Sequence, residues 1–127
     1  MPAQLEHVNY TVKDAKKTAA WLCDLFGWHV RWEGGAMNGQ GYTMHVGTDD
    51  QYVAIYQPSE IAENPTSNYV TAGGLNHIAV VVDDIDGMEQ KILAAGFKTG
   101  NHGDYEPGRR FYFHDDDNIE YEVVQYA

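Results

Sequence analysis

The strongest constraint on this chain is that it is written twice. Residues 5–14 read LEHVNYTVKD and residues 75–84 read LNHIAVVVDD. Leu5, His7, Val12 and Asp14 match Leu75, His77, Val82 and Asp84, and Val8 matches Ile78. Each copy runs on through a helix-like stretch to a glycine followed by an aromatic, Gly27-Trp28 and Gly96-Phe97. The ends match as well: QYVAIYQ (51–57) aligns with IEYEVVQ (119–125), placing Gln57 on Gln125 and Ala54 on Glu122. Two copies are too few for a solenoid, so the repeat predicts two similar halves related by a pseudo-twofold axis.

Both halves carry the same local signals. Residues 5–12 alternate, with Leu5, His7, Asn9 and Thr11 on one side and Val8, Tyr10 and Val12 on the other, which is strand periodicity. Asp14 stands at an N-cap position before AKKTAAWLCDLFG, in which Ala15, Ala19, Leu22 and Phe26 share one helical face and Gly27 is the stop. Short strands follow at about 28–34, 41–47 and 51–57. The second half has a strand at 75–82 and a helix over 85–95 capped by Asp84 or Asp86. Its later strands are expected near 97–101, 109–114 and 118–125. The segment 58–74 holds two of the four prolines and reads as the connecting loop. The pattern is β-α-β-β-β, twice: an α+β chain of two βαβββ modules. Its 127 residues suit one compact domain, with repeat 1 at about 4–57 and repeat 2 at about 75–126.

Charge narrows the partners. Nineteen acidic against eight basic residues give −11. Nucleic-acid binding and a polybasic membrane-surface role both need clustered Lys and Arg, so neither is expected. No apolar run approaches the ~20 residues that span a bilayer. The single cysteine, Cys23, excludes an intrachain disulfide and a Cys-based zinc site, and sits at an apolar helical position as a small hydrophobe. With no signal-peptide pattern at the N-terminus, a reduced, cytoplasmic setting is expected.

The doubled pattern, the openings LEHVNYTV and LNHIAVVV, and the ending FYFHDDDNIEYEVVQY resemble the vicinal-oxygen-chelate superfamily. That superfamily holds glyoxalase I, extradiol dioxygenases, fosfomycin-resistance transferases, methylmalonyl-coenzyme A epimerase and bleomycin-binding proteins. Asp115-Asp116-Asp117-Asn118 stands where its members usually have Asp-Pro-Asp-Gly, and Asn tolerates the left-handed conformation that Gly would supply. The resemblance implies a cup-shaped mixed sheet with metal ligands on the first and last strands of each half. Carried over, those positions are His7, Ala54, His77 and Glu122. Two imidazoles and a carboxylate with open positions suit Fe(II), Mn(II) or Zn(II).

Ala54 removes a fourth ligand and so argues against glyoxalase I activity, which normally uses all four positions. Periodicity alone does not separate Glu122 from Glu120; the repeat register and the family motif choose Glu122. Tyr112, ten residues before Glu122, matches a substrate-contacting tyrosine in the dioxygenases and fosfomycin transferases, and is expected to contact substrate and take part in proton transfer. Alternation puts Arg110, Tyr112 and His114 on one face, a cation, a phenol and an imidazole suited to an oxygen-rich anion. Asn9 shares the His7 face and joins them as a substrate-binding candidate. The bland alternatives are an Arg110 paired with a surface carboxylate and a Tyr112 in the aromatic core beside Phe111 and Phe113.

His29, His45 and His102 read as surface or strand-edge histidines, and 58–74 or 101–109 as the segment covering the cup. The expected function is a divalent-metal enzyme acting on a small oxygen-rich substrate by dioxygenation, isomerisation or lyase chemistry, or group addition. The alternative is a metal-free protein that sequesters a small molecule in the manner of the bleomycin-binding members. The resemblance also implies a homodimer.

Overall fold

The computed structural model describes residues 1–36, 39–62 and 68–126. The chain divides into two compact units, Met1–Glu63 and Asn64–Ala127. The first contains β1 (His7–Thr11), α1 (Ala15–Phe26), β2 (His29–Ala36), β3 (Gly41–Gly47) and β4 (Tyr52–Pro58). The second contains β5 (Ile78–Val81), α2 (Ile85–Ala94), β6 (Thr99–Tyr105), β7 (Gly108–His114) and β8 (Glu120–Tyr126). The sheet orders are β1-β4-β3-β2 and β5-β8-β7-β6. In each sheet the last three strands form an antiparallel meander, and the final strand returns parallel to the first. The fold is α+β with mixed sheets, as the repeat predicts.

Both helices start as the sequence indicates. The Asp14 carboxylate accepts from the Lys17 amide at 3.1 Å, and Asp84, rather than Asp86, accepts from the Gly87 amide at 3.0 Å. Asp86 is instead drawn outward by Arg109, 2.8 Å away. α1 ends at Gly27, whose φ of 71° is the left-handed conformation a side chain would resist. Its buried residues include Leu22 and Leu25. Phe26, expected on that face, is only half-buried and lies edge-on to Trp21 and Trp28. Cys23 is half-buried, and desolvation pushes its thiol pKa up.

A second contact holds each helix start. Gln57 Oε1 accepts from the Ala15 amide and Gln125 Oε1 from the Ile85 amide, both at 2.8 Å. The aligned glutamines thus satisfy first-turn amides that the helix leaves without partners. With helix and last strand joined, one sheet face supplies the core: Met44, Val46, Val53 and Ile55 in the first unit, Phe111, Phe113, Tyr121 and Val123 in the second. Alternation turns the other face away from the helix.

The opening strands are shorter than the expected 5–12 and 75–82, because each runs only as far as its parallel neighbour accompanies it. His77 falls just before β5. β6 extends well past 101 and pairs with β7 across a bulge between Gly100 and Gly103, where Asn101 adopts φ 52°. The segment 101–109, read as a covering loop, is therefore an ordered hairpin. Of the other such segment, 58–74, residues 63–67 lie outside the described residues.

The Asp115–Asn118 turn closes as expected, with Asn118 left-handed at φ 62°. Asp115 Oδ1 accepts from the Asp117 and Ile119 amides at 2.9 and 3.0 Å, and the Tyr121 hydroxyl donates to Oδ2 at 3.2 Å. Burial pushes the Asp115 carboxyl up to about 6 from its ordinary 3.8, against those hydrogen bonds. A raised folded pKa means that the folded chain holds the extra proton. Its contribution to stability is full below the unfolded value and is lost as pH rises through about 6.

Two expectations follow. Gln57→Leu and Gln125→Leu each leave a helix amide without its acceptor and lower unfolding stability by about 1–2 kcal/mol in urea titrations. Asp115→Asn keeps the acceptor oxygen but not the charge. Relative to wild type it gains stability as pH is raised from 4 to 7, by up to about 3 kcal/mol.

Candidate functional site

In the second unit the helix-distal face of β8 carries Glu120 and Glu122, only 8% and 7% exposed. Tyr112 stands directly across from Glu122, Arg110 from Val124 and His114 from Glu120. His77 completes the group. Its Nε2 lies 3.0 Å from Glu122 Oε1, and its ring meets Tyr112 edge-on at 5.7 Å. The other ring nitrogen, Nδ1, is 2.6 Å from Asn76 Oδ1. The Asn76 side-chain oxygen thus orients the ring through Nδ1 and leaves Nε2 facing Glu122.

Both carboxylates lie near His77, Glu122 at 3.0 Å from Nε2 and Glu120 at 3.8 Å from Nδ1, and they differ in their other partners. Glu120 accepts a hydrogen bond from the Tyr69 hydroxyl and lies 3.4 Å from His114 Nε2. That bond, with burial, pushes the Tyr69 phenol up to about 12. Glu122 faces His77 through one oxygen and Arg110 Nη1 through the other, at 2.9 Å. Arg110 also donates to the Gly108 carbonyl at 3.3 Å and lies over the Tyr105 ring at 4.7 Å, while its buried Nε has no hydrogen-bond partner among the described residues. The pairing of Arg110 with a surface carboxylate is thus replaced by a buried pair with Glu122. Tyr112 is held above the usual phenol range by burial and by the Glu122 charge, so it stays protonated at neutral pH.

In the first unit His7 occupies the corresponding place. Its Nδ1 lies 2.8 Å from Glu6 Oε1, which also accepts from the Tyr52 hydroxyl at 3.1 Å. The residue before each histidine therefore engages the same ring nitrogen. Asn9 lies across from Ala54, which is buried, and Ala54 faces His45 on its other side. Rings line this face. His7 stacks on Tyr52 at 4.8 Å, Tyr52 on His45 at 4.7 Å, and Trp32 tilts against His45 at 5.2 Å, with the Arg31 guanidinium 4.3 Å from the Tyr52 ring centre.

His45, read from sequence as a surface or strand-edge residue, is in fact half-buried in this row. Burial and the neighbouring His7 and Arg31 charges push its pKa down. Counting back from the turn at 48–51 would have set 45 against 54; alternation within one strand does not show it. The other two are peripheral: His29 is 3.4 Å from Asp49, and His102 is 2.6 Å from Glu89.

Nitrogen and carboxylate oxygen converging on one point suit a borderline divalent cation, so His77 and Glu122 fit a metal as two donors. Among the described residues no three His, Cys, Asp or Glu side chains are gathered to hold an ion, and His7 belongs to the other unit. No helix among the described residues is long and apolar enough to cross a membrane.

Two βαβββ units with an imidazole opening each, and a carboxylate ending the second, define the vicinal-oxygen-chelate class. The profile of the Glyoxalase/Bleomycin resistance protein/Dioxygenase superfamily matches residues 4–123, and the chain belongs to that superfamily. It is similar in structure to a glyoxylase/bleomycin resistance protein/dioxygenase domain from Frankia sp. EAN1pec, with TM-score 0.83, 18% identity and coverage of 100% of this chain and 94% of that one. The fosfomycin resistance protein FosX from Mesorhizobium loti gives 0.71 at 25% identity, covering 98% and 92%. A single-residue mutant of the fosfomycin resistance protein FosX from Listeria monocytogenes, solved with Mn(II) and 1S,2S-dihydroxypropylphosphonic acid, gives 0.76 at 23%, covering 100% and 95%. No curated protein matches the chain in sequence.

The buried pair yields its own expectation. In chelator-treated protein, Arg110→Met leaves Glu122 with His77 but without its guanidinium partner and costs about 2 kcal/mol of unfolding free energy. Arg109→Met, which breaks an exposed pair with Asp86, leaves the urea midpoint unchanged.

Proposed function

We propose that this protein is a divalent-metal-dependent enzyme acting on a small, oxygen-rich anionic substrate, with His7, His77 and Glu122 as the metal-holding residues. The observation that carries the reading is the pairing of His77 Nε2 with Glu122 Oε1 at 3.0 Å, with Nδ1 engaged by Asn76. The contact at Nδ1 recurs at His7, where the preceding Glu6 supplies the oxygen. A bound Fe(II), Mn(II) or Zn(II) would supply Lewis-acid polarisation of the substrate oxygens.

The chain's own residues do the rest. Arg110, on the helix-distal face beside Glu122, offers positive charge to an anionic substrate group. Tyr112, kept protonated, donates a hydrogen bond or a proton beside Glu122. Asn9 and His114, both on helix-distal faces, serve as outer substrate contacts. The likeness to FosX makes fosfomycin the first substrate to try. The same reading makes the protein a cytoplasmic homodimer with two equivalent sites and no nucleic-acid or membrane partner.

Elemental analysis of protein purified without a chelator or metal-affinity tag tests the reading. About one equivalent of metal per chain is expected after soaking in Fe(II), Mn(II) or Zn(II), and Glu122→Ala should lose it. Less than about a tenth of an equivalent overturns the proposal. The row of rings from Trp32 to His7 favours one other outcome. Metal-free protein whose tryptophan fluorescence is quenched by a cationic glycopeptide would be a sequestering protein instead.

A further inference from the structure

Ala54 stands on the same rung of the first unit as Glu122 in the second: Asn9–Ala54–His45 corresponds to Ala79–Glu122–Tyr112. The first unit thus lacks a carboxylate where the second has one, yet an imidazole stands directly across from the gap. The His45 ring centre is 6.4 Å from that of His7, with the planes only 16° apart. The rings beside His45 are Trp32, Tyr52 and His7, and neither ring nitrogen has a hydrogen-bond partner among the described residues. A half-buried imidazole held on its faces, with its nitrogens unused, is a donor without an acceptor.

We propose that His45 replaces the carboxylate missing at position 54, so that His7 and His45 form a two-imidazole half-site for a borderline divalent ion in the first unit. The proposal deepens the metal-enzyme reading and rests on His7 being a ligand. Distance supports it. An imidazole nitrogen sits ~2.1 Å from a divalent ion, which sets two ring centres on one tetrahedral ion about 5 Å apart. The separation here is wider by about an ångström, a gap that a side-chain rotation of either ring closes. The donor set changes accordingly. Two nitrogens in place of nitrogen and carboxylate favour Cu(II) and Zn(II) over Mn(II) and leave the first unit's donors neutral.

The test counts imidazoles instead of reading turnover. Cu(II) is bound to the full-length protein and the remote imidazole nitrogens are counted by pulsed electron paramagnetic resonance; Zn(II) affinity is measured by calorimetry. His45→Phe keeps a ring between Trp32 and Tyr52 but removes both nitrogens. It should lose one imidazole from the Cu(II) spectrum and weaken Zn(II) binding at least about tenfold, while His29→Phe changes neither. Unchanged spectra and affinity in His45→Phe, with a loss in His7→Ala, overturn this inference and leave the metal-enzyme reading standing. A wild type that takes up neither ion overturns both. Should His45→Phe disturb the ring row, the imidazole nitrogen resonances of unaltered protein decide: Zn(II) must shift His45 together with His7, and a shift of His7 alone refutes the half-site.

Discussion

A glutamine amide fastens each unit together. Gln57 and Gln125, near the ends of the last strands, accept from the first amides of the helices that follow the first strands, Ala15 and Ile85. Each bond joins the end of a unit to its beginning. It fixes which strand lies beside the opening one and on which side of the sheet the helix packs. Every later consequence depends on that choice, because period-two alternation then sends Val53, Ile55, Tyr121 and Val123 to the helix and leaves Tyr52, Ala54, Glu120 and Glu122 on the opposite face.

The two units share this frame and differ in what they mount on it. Where the second has Glu122 across from Tyr112, the first has Ala54 across from His45. Where the second has His114 beside Glu120, the first has Gly47 beside Tyr52, and a Cβ at Gly47 would come within 2.8 Å of the Tyr52 Cβ. One unit became carboxylate-rich and charge-paired, the other ring-lined. The retained features are the opening imidazoles and the side-chain oxygen before each, Glu6 or Asn76, which engages Nδ1.

Much of this was legible in one dimension. The repeat marks the two βαβββ units, Asp14 and Gly27 mark the ends of α1, and Asn118 marks the left-handed turn position. Local chemistry decides each of these, so local sequence reveals them. The aligned ends predict that Ala54 and Glu122 share a rung, and the ladder registers agree. What stayed hidden depends on pairing. Asp86 had the chemistry of a cap but was claimed by Arg109. Residues 101–109 look like a loop until β7 gives them a partner. Phe26 yields the buried position to Leu25 because helix rotation is set by the sheet beneath.

By itself the sequence determined the fold class, the twofold repetition and the residue types available for chemistry, because alternation, capping and turn preference act over a few neighbouring residues. Only the tertiary structure decided that Glu120 and Glu122 both lie near His77, that Arg110 lies against Glu122, and that His45 belongs to the ring-lined face. These are contacts between side chains whose separation depends on strand register and burial. A single strand's alternation names two faces and leaves open what stands across from either.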